Sequence, residues 1–179
     1  MPGLGRVRYD LAFGGAFYAY VQACDVGVRC TPEDFRPLIE KGMAIKRAVM
    51  AAREIVHPFE PDLGFLYGTI FIGPPQGADA HSRNVCVFAE GEVDRSPCGS
   101  GTSARLALLH QRGELARGEE YVHESIVGTR FVGRVVEEAA GGVVIEGNEE
   151  MAIKFVSRLR RVEDYNRYCF VVAGTVAKT

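Results

Sequence analysis

The chain has 179 residues, 47% hydrophobic and 25% charged, which is enough apolar material for one good core. With 21 basic and 23 acidic residues the net charge is −2, so nothing points to nucleic acid or an acidic membrane surface as partner. No run has the length of a transmembrane helix and the N-terminus lacks the apolar stretch of a signal peptide, so a cytoplasmic protein is the default expectation.

In chain order, residues 6–23 are rich in aromatic and β-prone residues on either side of Gly14-Gly15. They read as a strand, a tight turn and a second strand over 17–21. The glycine pair serves either a plain hairpin or a close approach of backbone to a ligand. Thr31-Pro32-Glu33-Asp34 then opens a helix, with Asp34 as N-cap and Pro37 in the first turn, where its missing N–H costs little. Phe35, Leu38, Ile39, Ile45, Val49 and Ala52 keep helical spacing to about residue 55, the pattern of an amphipathic helix covering a sheet. Its Lys41, Lys46, Arg47 and Arg53 read as a solvated face.

A proline-rich link, His57-Pro58-Phe59-Glu60-Pro61-Asp62, leads to a buried strand over 66–72 and another over 84–89. Cys86 in the second of these is most simply a small core residue. A helix is expected from about 101 to 112, with Gly113 as its stop. Its apolar residues spread around nearly all sides, so it should be enclosed rather than laid on a surface. Residues 121–127, 130–137 and 142–146 read as three short strands, and 168–172 as a further candidate.

The most informative stretch lies just before that second helix: Asp94-Arg95-Ser96-Pro97-Cys98-Gly99-Ser100-Gly101-Thr102-Ser103-Ala104-Arg105. Gly99 and Gly101 allow a tight turn and close backbone approach, and Ser100 or Thr102 can cap the helix. Cys98 then stands at a helix N-terminus, where free N–H groups and the positive dipole end favour an anion and lower a thiol pKa. The competing reading is an ordinary buried cysteine ahead of a core helix. Asp94, four residues upstream, serves either to hold a cationic group or to close a turn. The five cysteines (Cys24, Cys30, Cys86, Cys98 and Cys169) include no Cys-x-x-Cys pair and are odd in number, and the four histidines are scattered. No metal or disulfide framework is expected.

The Asp94–Arg105 motif resembles the second catalytic-cysteine motif of the proline racemase family, which includes proline racemases, 4-hydroxyproline epimerases and trans-3-hydroxyproline dehydratases. Asp10-Leu11-Ala12-Phe13-Gly14-Gly15-Ala16-Phe17-Tyr18-Ala19, His57-Pro58, Leu66-Tyr67-Gly68-Thr69-Ile70 and Ser125-Ile126-Val127-Gly128-Thr129-Arg130-Phe131 resemble it too. The likeness runs from about residue 7 to about 138, in the order of the family's second half. It implies an α+β fold, a diaminopimelate epimerase-like half with an antiparallel-rich sheet wrapped around a central helix. Residues 1–146 would form this half-domain and 147–179 a diverged tail.

The resemblance also implies a chemistry: cofactor-independent transfer of the α-proton of proline or a hydroxyproline between two opposed cysteines, one thiolate and one thiol. Cys98 would be the catalytic cysteine, Gly99 and Ser100 would bind the substrate carboxylate, Asp94 the ring ammonium, and Phe88 would pack on the ring. The first cysteine motif, Met-Cys-Gly-His, is absent, since the only Cys-Gly is Cys98-Gly99. A missing N-terminal half or a second subunit is therefore expected as partner, with a homodimer left open, and an inactive truncated half-domain is the other outcome. In the family, cysteine at the Cys98 position goes with racemases and epimerases, whereas threonine or serine goes with dehydratases. Ala16-Phe17-Tyr18 and Leu66-Tyr67-Gly68-Thr69 look nearer to the dehydratases, which keeps that branch in play.

Overall fold

The computed structural model describes residues 5–139, 142–147 and 170–171. The first two strands, β1 (Asp10–Phe13) and β2 (Phe17–Gln22), form an antiparallel hairpin that pairs Phe13 with Phe17. Gly15, at φ 106°, makes the turn. Short 3-10 turns at Ala23–Val26 and Pro32–Asp34 lead into α1 (Phe35–Ala52). The helix then crosses back so that β3 (Leu66–Gly73) runs parallel to β2.

β4 (Ser82–Phe88) returns antiparallel to β3, and the two-residue β5 (Glu92–Val93) folds back on it. The second helix, α2 (Gly99–Gln111), makes the other crossover, placing β6 (Glu120–Glu124) parallel to β4. β7 (Arg130–Ala139) and β8 (Gly142–Gly147) complete this end as an antiparallel meander. At the other end β9 (Phe170–Val171) pairs with β1. The strand order is β8-β7-β6-β4-β3-β2-β1-β9, with β5 on β4. The architecture is α+β with a mixed, mainly antiparallel sheet. The tail expected over 147–179 lies outside the described residues except for Gly147 and β9.

Strand alternation separates the core under α1 from two clusters around α2, one of which joins Leu106, Ala107 and Leu109 to Phe131, Val135, Val143 and Ile145. Leu11, Phe13, Phe17, Ala19, Val21, Phe71, Val85 and Val87 face α1, where Leu38, Ile45 and Val49 cover them. Gly42 lets the helix sit close: a side-chain carbon there would overlap Val87 Cβ at 2.8 Å. On the opposite face Ala12, Tyr18, Tyr20, Ile70, Ile72 and Cys86 meet Ala104 and Leu108 of α2.

Some details depart from the sequence expectations. α1 stops at Ala52 rather than near residue 55, and its first turn is preceded by the 3-10 turn. Phe35, expected on the core face, is 45% exposed at the first position of the helix. Asp34 does stand at the N-cap, but its carboxylate accepts from the Arg29 backbone N–H (2.7 Å) and guanidinium (3.1 Å) rather than from the helix.

The second helix is enclosed, as its all-round apolar character predicts. Every residue from Gly101 to Leu109 is buried. α2 touches β1 and β9 from one end of the strand order and β7 and β8 from the other, and those end strands β8 and β9 touch each other. The sheet therefore curls around α2. No helix among the described residues is long and apolar enough to cross a membrane.

Candidate active site

The site is built where β4 hands the chain to α2. After β4 the backbone turns through Ala89 (φ 46°) and Gly91 (φ 119°), and the Asp94 N–H donates to the Cys86 carbonyl at 3.0 Å. Asp94 Oδ1 accepts from both the N–H and the hydroxyl of Ser96, each at 2.8 Å. Ser96 Oγ in turn accepts from the Cys98 N–H at 3.2 Å. This chain of local bonds is the turn-closing use of an aspartate. It leaves Oδ2 without a partner among the described residues.

Cys98 occupies the N-cap of α2 with φ 71° and ψ 115°. A non-glycine residue with positive φ is held there against a cost of order 1–3 kcal/mol, and such strain clusters at functional positions. The expected caps, Ser100 and Thr102, do not cap the helix, because Cys98 already stands at that position. Instead they lie inside the first turn: Thr102 N–H donates to the Cys98 carbonyl at 2.7 Å, and Ser100 Oγ lies 2.7 Å from Tyr18 Oη. The N–H groups of Gly99 and Ser100 have no partner among the described residues, as the first amides of a helix require. That leaves two donors and the positive helix end beside the sulfur.

Two packing contacts hold this helix start. Tyr20 Oη donates to the Gly101 carbonyl at 2.6 Å. Gly14 lies so close that a side-chain carbon there would overlap the Ser100 carbonyl and the Ala104 amide. The hairpin glycine thus meets protein backbone. Gly101 is needed for the same reason, since a side-chain carbon would reach Ile70 and lie 3.0 Å from the Cys98 sulfur.

Cys98 is 6% exposed. Its sulfur sits 3.5 Å from Tyr18 Oη and 3.9 Å from Ser100 Oγ, in the cluster that includes Cys86. A hydrogen bond from the Cys86 thiol is the largest cause pulling the Cys98 pKa below the usual thiol value, against the effect of burial. The Tyr18 hydroxyl and the Gly101 N–H pull the same way, while the Asp94 charge opposes them. Burial pushes Cys86 and Tyr18 well up, so both remain protonated donors. Of the two neighbouring thiols, Cys98 is the one set to ionise.

Phe88 is half-buried at the edge of this cluster and stacks on Tyr67, centroids 5.6 Å apart and planes 9° from parallel. Tyr67 meets Tyr18 edge-on at 5.7 Å. Asp94, Phe88, Gly99 and Ser100 are thus brought around Cys98, along with three residues that sequence reasoning missed: Tyr18, Tyr67 and Cys86. Strand parity held part of the signal, since Cys86 and Phe88 share one face of β4. Among the described residues no group of three or more His, Cys, Asp or Glu side chains stands together as a metal site.

With this geometry in hand, comparisons with known proteins are specific. The family described as proline racemase matches residues 1–147. A trans-3-hydroxy-L-proline dehydratase of Colwellia psychrerythraea is 49% identical over 137 residues, 76% of this chain and 39% of the relative. A proline racemase of Clostridioides difficile is 41% identical over 138 residues, 77% of this chain and 41% of the relative. Among solved structures, a hydroxyproline epimerase from Agrobacterium vitis with bound trans-4-hydroxy-L-proline superposes with a TM-score of 0.71 at 34% identity, covering 79% of this chain and 43% of that one. The chain therefore spans about two-fifths of the length of these relatives.

Proposed function

Because the chain belongs to the proline racemase family, we propose that it forms one catalytic half of a cofactor-independent proline racemase or hydroxyproline 2-epimerase, with Cys98 as one of the two proton-transferring thiols. The sheet curled around α2 supports reading the fold as a diaminopimelate epimerase-like half. The observation that carries the function is the placement of Cys98. Its sulfur lies at a helix start, on strained backbone, beside two N–H groups without a partner among the described residues.

In the first step the Cys98 thiolate takes the α-proton: the Cα–H bond breaks, an S–H bond forms, and the electron pair moves onto the substrate carboxylate. The Gly99 and Ser100 N–H groups, with the helix dipole, hold that growing negative charge. Asp94 Oδ2 holds the ring ammonium, while Oδ1 keeps the turn through Ser96. Phe88, backed by Tyr67, packs on the ring. Reprotonation inverts the centre only from the opposite face, so a second thiol must come from outside this site, on a further polypeptide segment or subunit. The low exposure of Cys98 keeps water from competing for the proton.

A second reading rests on the 49% identity to a trans-3-hydroxy-L-proline dehydratase. Dehydration needs one base and a leaving hydroxyl, so the thiol at the Cys98 position is dispensable in that reading and the base would come from the half that carries the first cysteine motif. The test incubates the chain in heavy water with L-proline, trans-4-hydroxy-L-proline and trans-3-hydroxy-L-proline. It does so both alone and co-expressed with a polypeptide that carries the family's first cysteine motif. Deuterium at Cα of the recovered imino acid, lost by at least a hundredfold in Cys98→Ala, is the expected result. A ketone-forming product from the 3-hydroxy substrate without Cα exchange of the others selects the dehydratase reading. Neither product in any arm overturns both.

A further inference from the structure

Tyr18 reaches the Cys98 sulfur from β2, 80 residues earlier in the chain. Its ring is wedged edge-on against Tyr67 and Tyr20, with centroids at 5.7 and 6.4 Å, so the hydroxyl has little freedom to leave. The hydroxyl has two polar neighbours, Ser100 Oγ at 2.7 Å and Cys98 Sγ at 3.5 Å. A phenol carries one proton and can accept another bond on its oxygen. Ser100 can therefore donate to Tyr18 while Tyr18 donates to the sulfur, or the pair can reverse.

We infer that the Tyr18 hydroxyl, braced by Ser100, is the positioning residue that aims the Cys98 sulfur and stabilises its anion. This rests on the reading of Cys98 as a proton-transferring thiolate. When the sulfur is charged, the bonds run from Ser100 to Tyr18 to sulfur, and a bond to an ionised acceptor is the strong kind. Once the sulfur has taken a proton, its S–H turns to the Tyr18 oxygen and the phenol proton swings to Ser100. No proton leaves the tyrosine in either state; only the direction of the bonds changes. Both protonation states keep a partner at a residue that is almost wholly buried.

The groups that face the sulfur are few. Among the described residues they are Tyr18 from β2, Cys86 from β4, Asp94 ahead of α2, and Ser100 with the Gly101 N–H from α2 itself; β3 adds the apolar Ile70 and Ile72 and, at the edge of the cluster, Tyr67. Cys86 is a donor of the same sign as Tyr18, but a thiol is a weak donor and a phenol a strong one. Asp94 acts against both.

The experiment is the pH dependence of iodoacetamide labelling of the 179-residue chain, read by mass spectrometry on the Cys98 peptide, in wild type, Tyr18→Phe and Ser100→Ala. Cys86, fully buried, serves in the same sample as the fold reporter and should stay unlabelled. The expected result is an apparent Cys98 pKa that rises by about one unit in Tyr18→Phe, a tenfold loss of thiolate below it, and by less in Ser100→Ala. An unchanged pKa in a Tyr18→Phe chain that still protects Cys86 overturns the inference and leaves the proposed function standing. A wild-type Cys98 that titrates at about the free value of 8.5 overturns the proposed function itself. If Tyr18→Phe exposes Cys86, 3-fluorotyrosine at position 18 probes the same contact. It keeps the ring's shape and strengthens the O–H donor, so the Cys98 pKa should fall, and no fall overturns the inference.

Discussion

The two faces of the sheet solve the same burial problem in different ways. The α1 face is an ordinary amphipathic arrangement, with Leu38, Met43, Ile45 and Val49 lying on aliphatic and aromatic strand residues. The α2 face surrounds its helix with sheet and admits polar groups into the interior: Asn84, Ser82, His123, Arg105, Thr102 and Ser103 are all buried. One face stabilises; the other also keeps a reactive sulfur dry. A helix sealed on every side cannot shift to relieve an error, so substitutions there should be felt more than equivalent ones on α1.

The largest effects should come from truncating one fully buried leucine on each helix. Leu106→Ala, at a fully buried α2 position, should destabilise the chain by about 2–5 kcal/mol. Leu38→Ala, equally buried on α1, should fall toward the lower end of that range, because this helix has an open face along which it can settle. Urea denaturation of both variants measures this, and equal losses would break the contrast. Next come the two glycines at the helix contacts. Gly14→Ala should cost about 1–3 kcal/mol, since the new carbon meets α2 backbone that cannot turn aside. Gly42→Ala should cost less, because alanine's helix propensity returns up to about 1 kcal/mol against its overlap with Val87. Thermal melts of the two variants rank them.

A further contrast, read against pH, is a stability slope from the polar side of the core. Burial pushes His123 down to about 3, with the Arg105 and His81 charges acting in the same direction. Below the unfolded value of about 6.5 the unfolded chain therefore takes a proton that the folded chain refuses. Stability falls as pH drops from 6.5, by up to about 1.4 kcal/mol per unit for this group, until the folded pKa is reached. His123→Gln should flatten denaturation midpoints between pH 6.5 and 4.5, leaving a residue from His57, which burial also lowers. Glu124 adds a loss only further down. The Gln76 and Gly77 N–H groups and the Arg83 and Arg130 charges hold its carboxyl below the usual value despite burial, so that stability is present above about 4.5 and disappears as pH falls through the folded pKa. A wild-type slope unchanged by His123→Gln would show that the α2 face carries no such penalty.

Much of the site's local geometry was legible in the sequence. Pro97, Cys98 and the glycines after it announced a turn into a helix, and the apolar residues on all sides of 104–109 announced that the helix would be enclosed. The Asp94 turn was one of two readings left open, and the structure shows the carboxylate making it with one oxygen. Ser100 and Thr102 as caps were misjudged because both residue types favour N-caps, and composition does not say which residue between 98 and 102 stands at that position. The role of Cys86 was missed for another reason. A strand's alternation tells which residues share a face, not what lies opposite that face.

That distinction marks the boundary for the whole protein. Residue pattern alone determined the two helices and most of the strands, their order, the hairpin at Gly14-Gly15 and the thiol at a helix start, because each depends on neighbours a few positions away; β5 and the 3-10 turns were not read from it. Only the tertiary structure decided that β2 and β4 deliver Tyr18 and Cys86 to the Cys98 sulfur. Two crossovers set which strands lie near one another, and the choice of sheet face for each helix is made by burial of the whole chain, which no local spacing encodes.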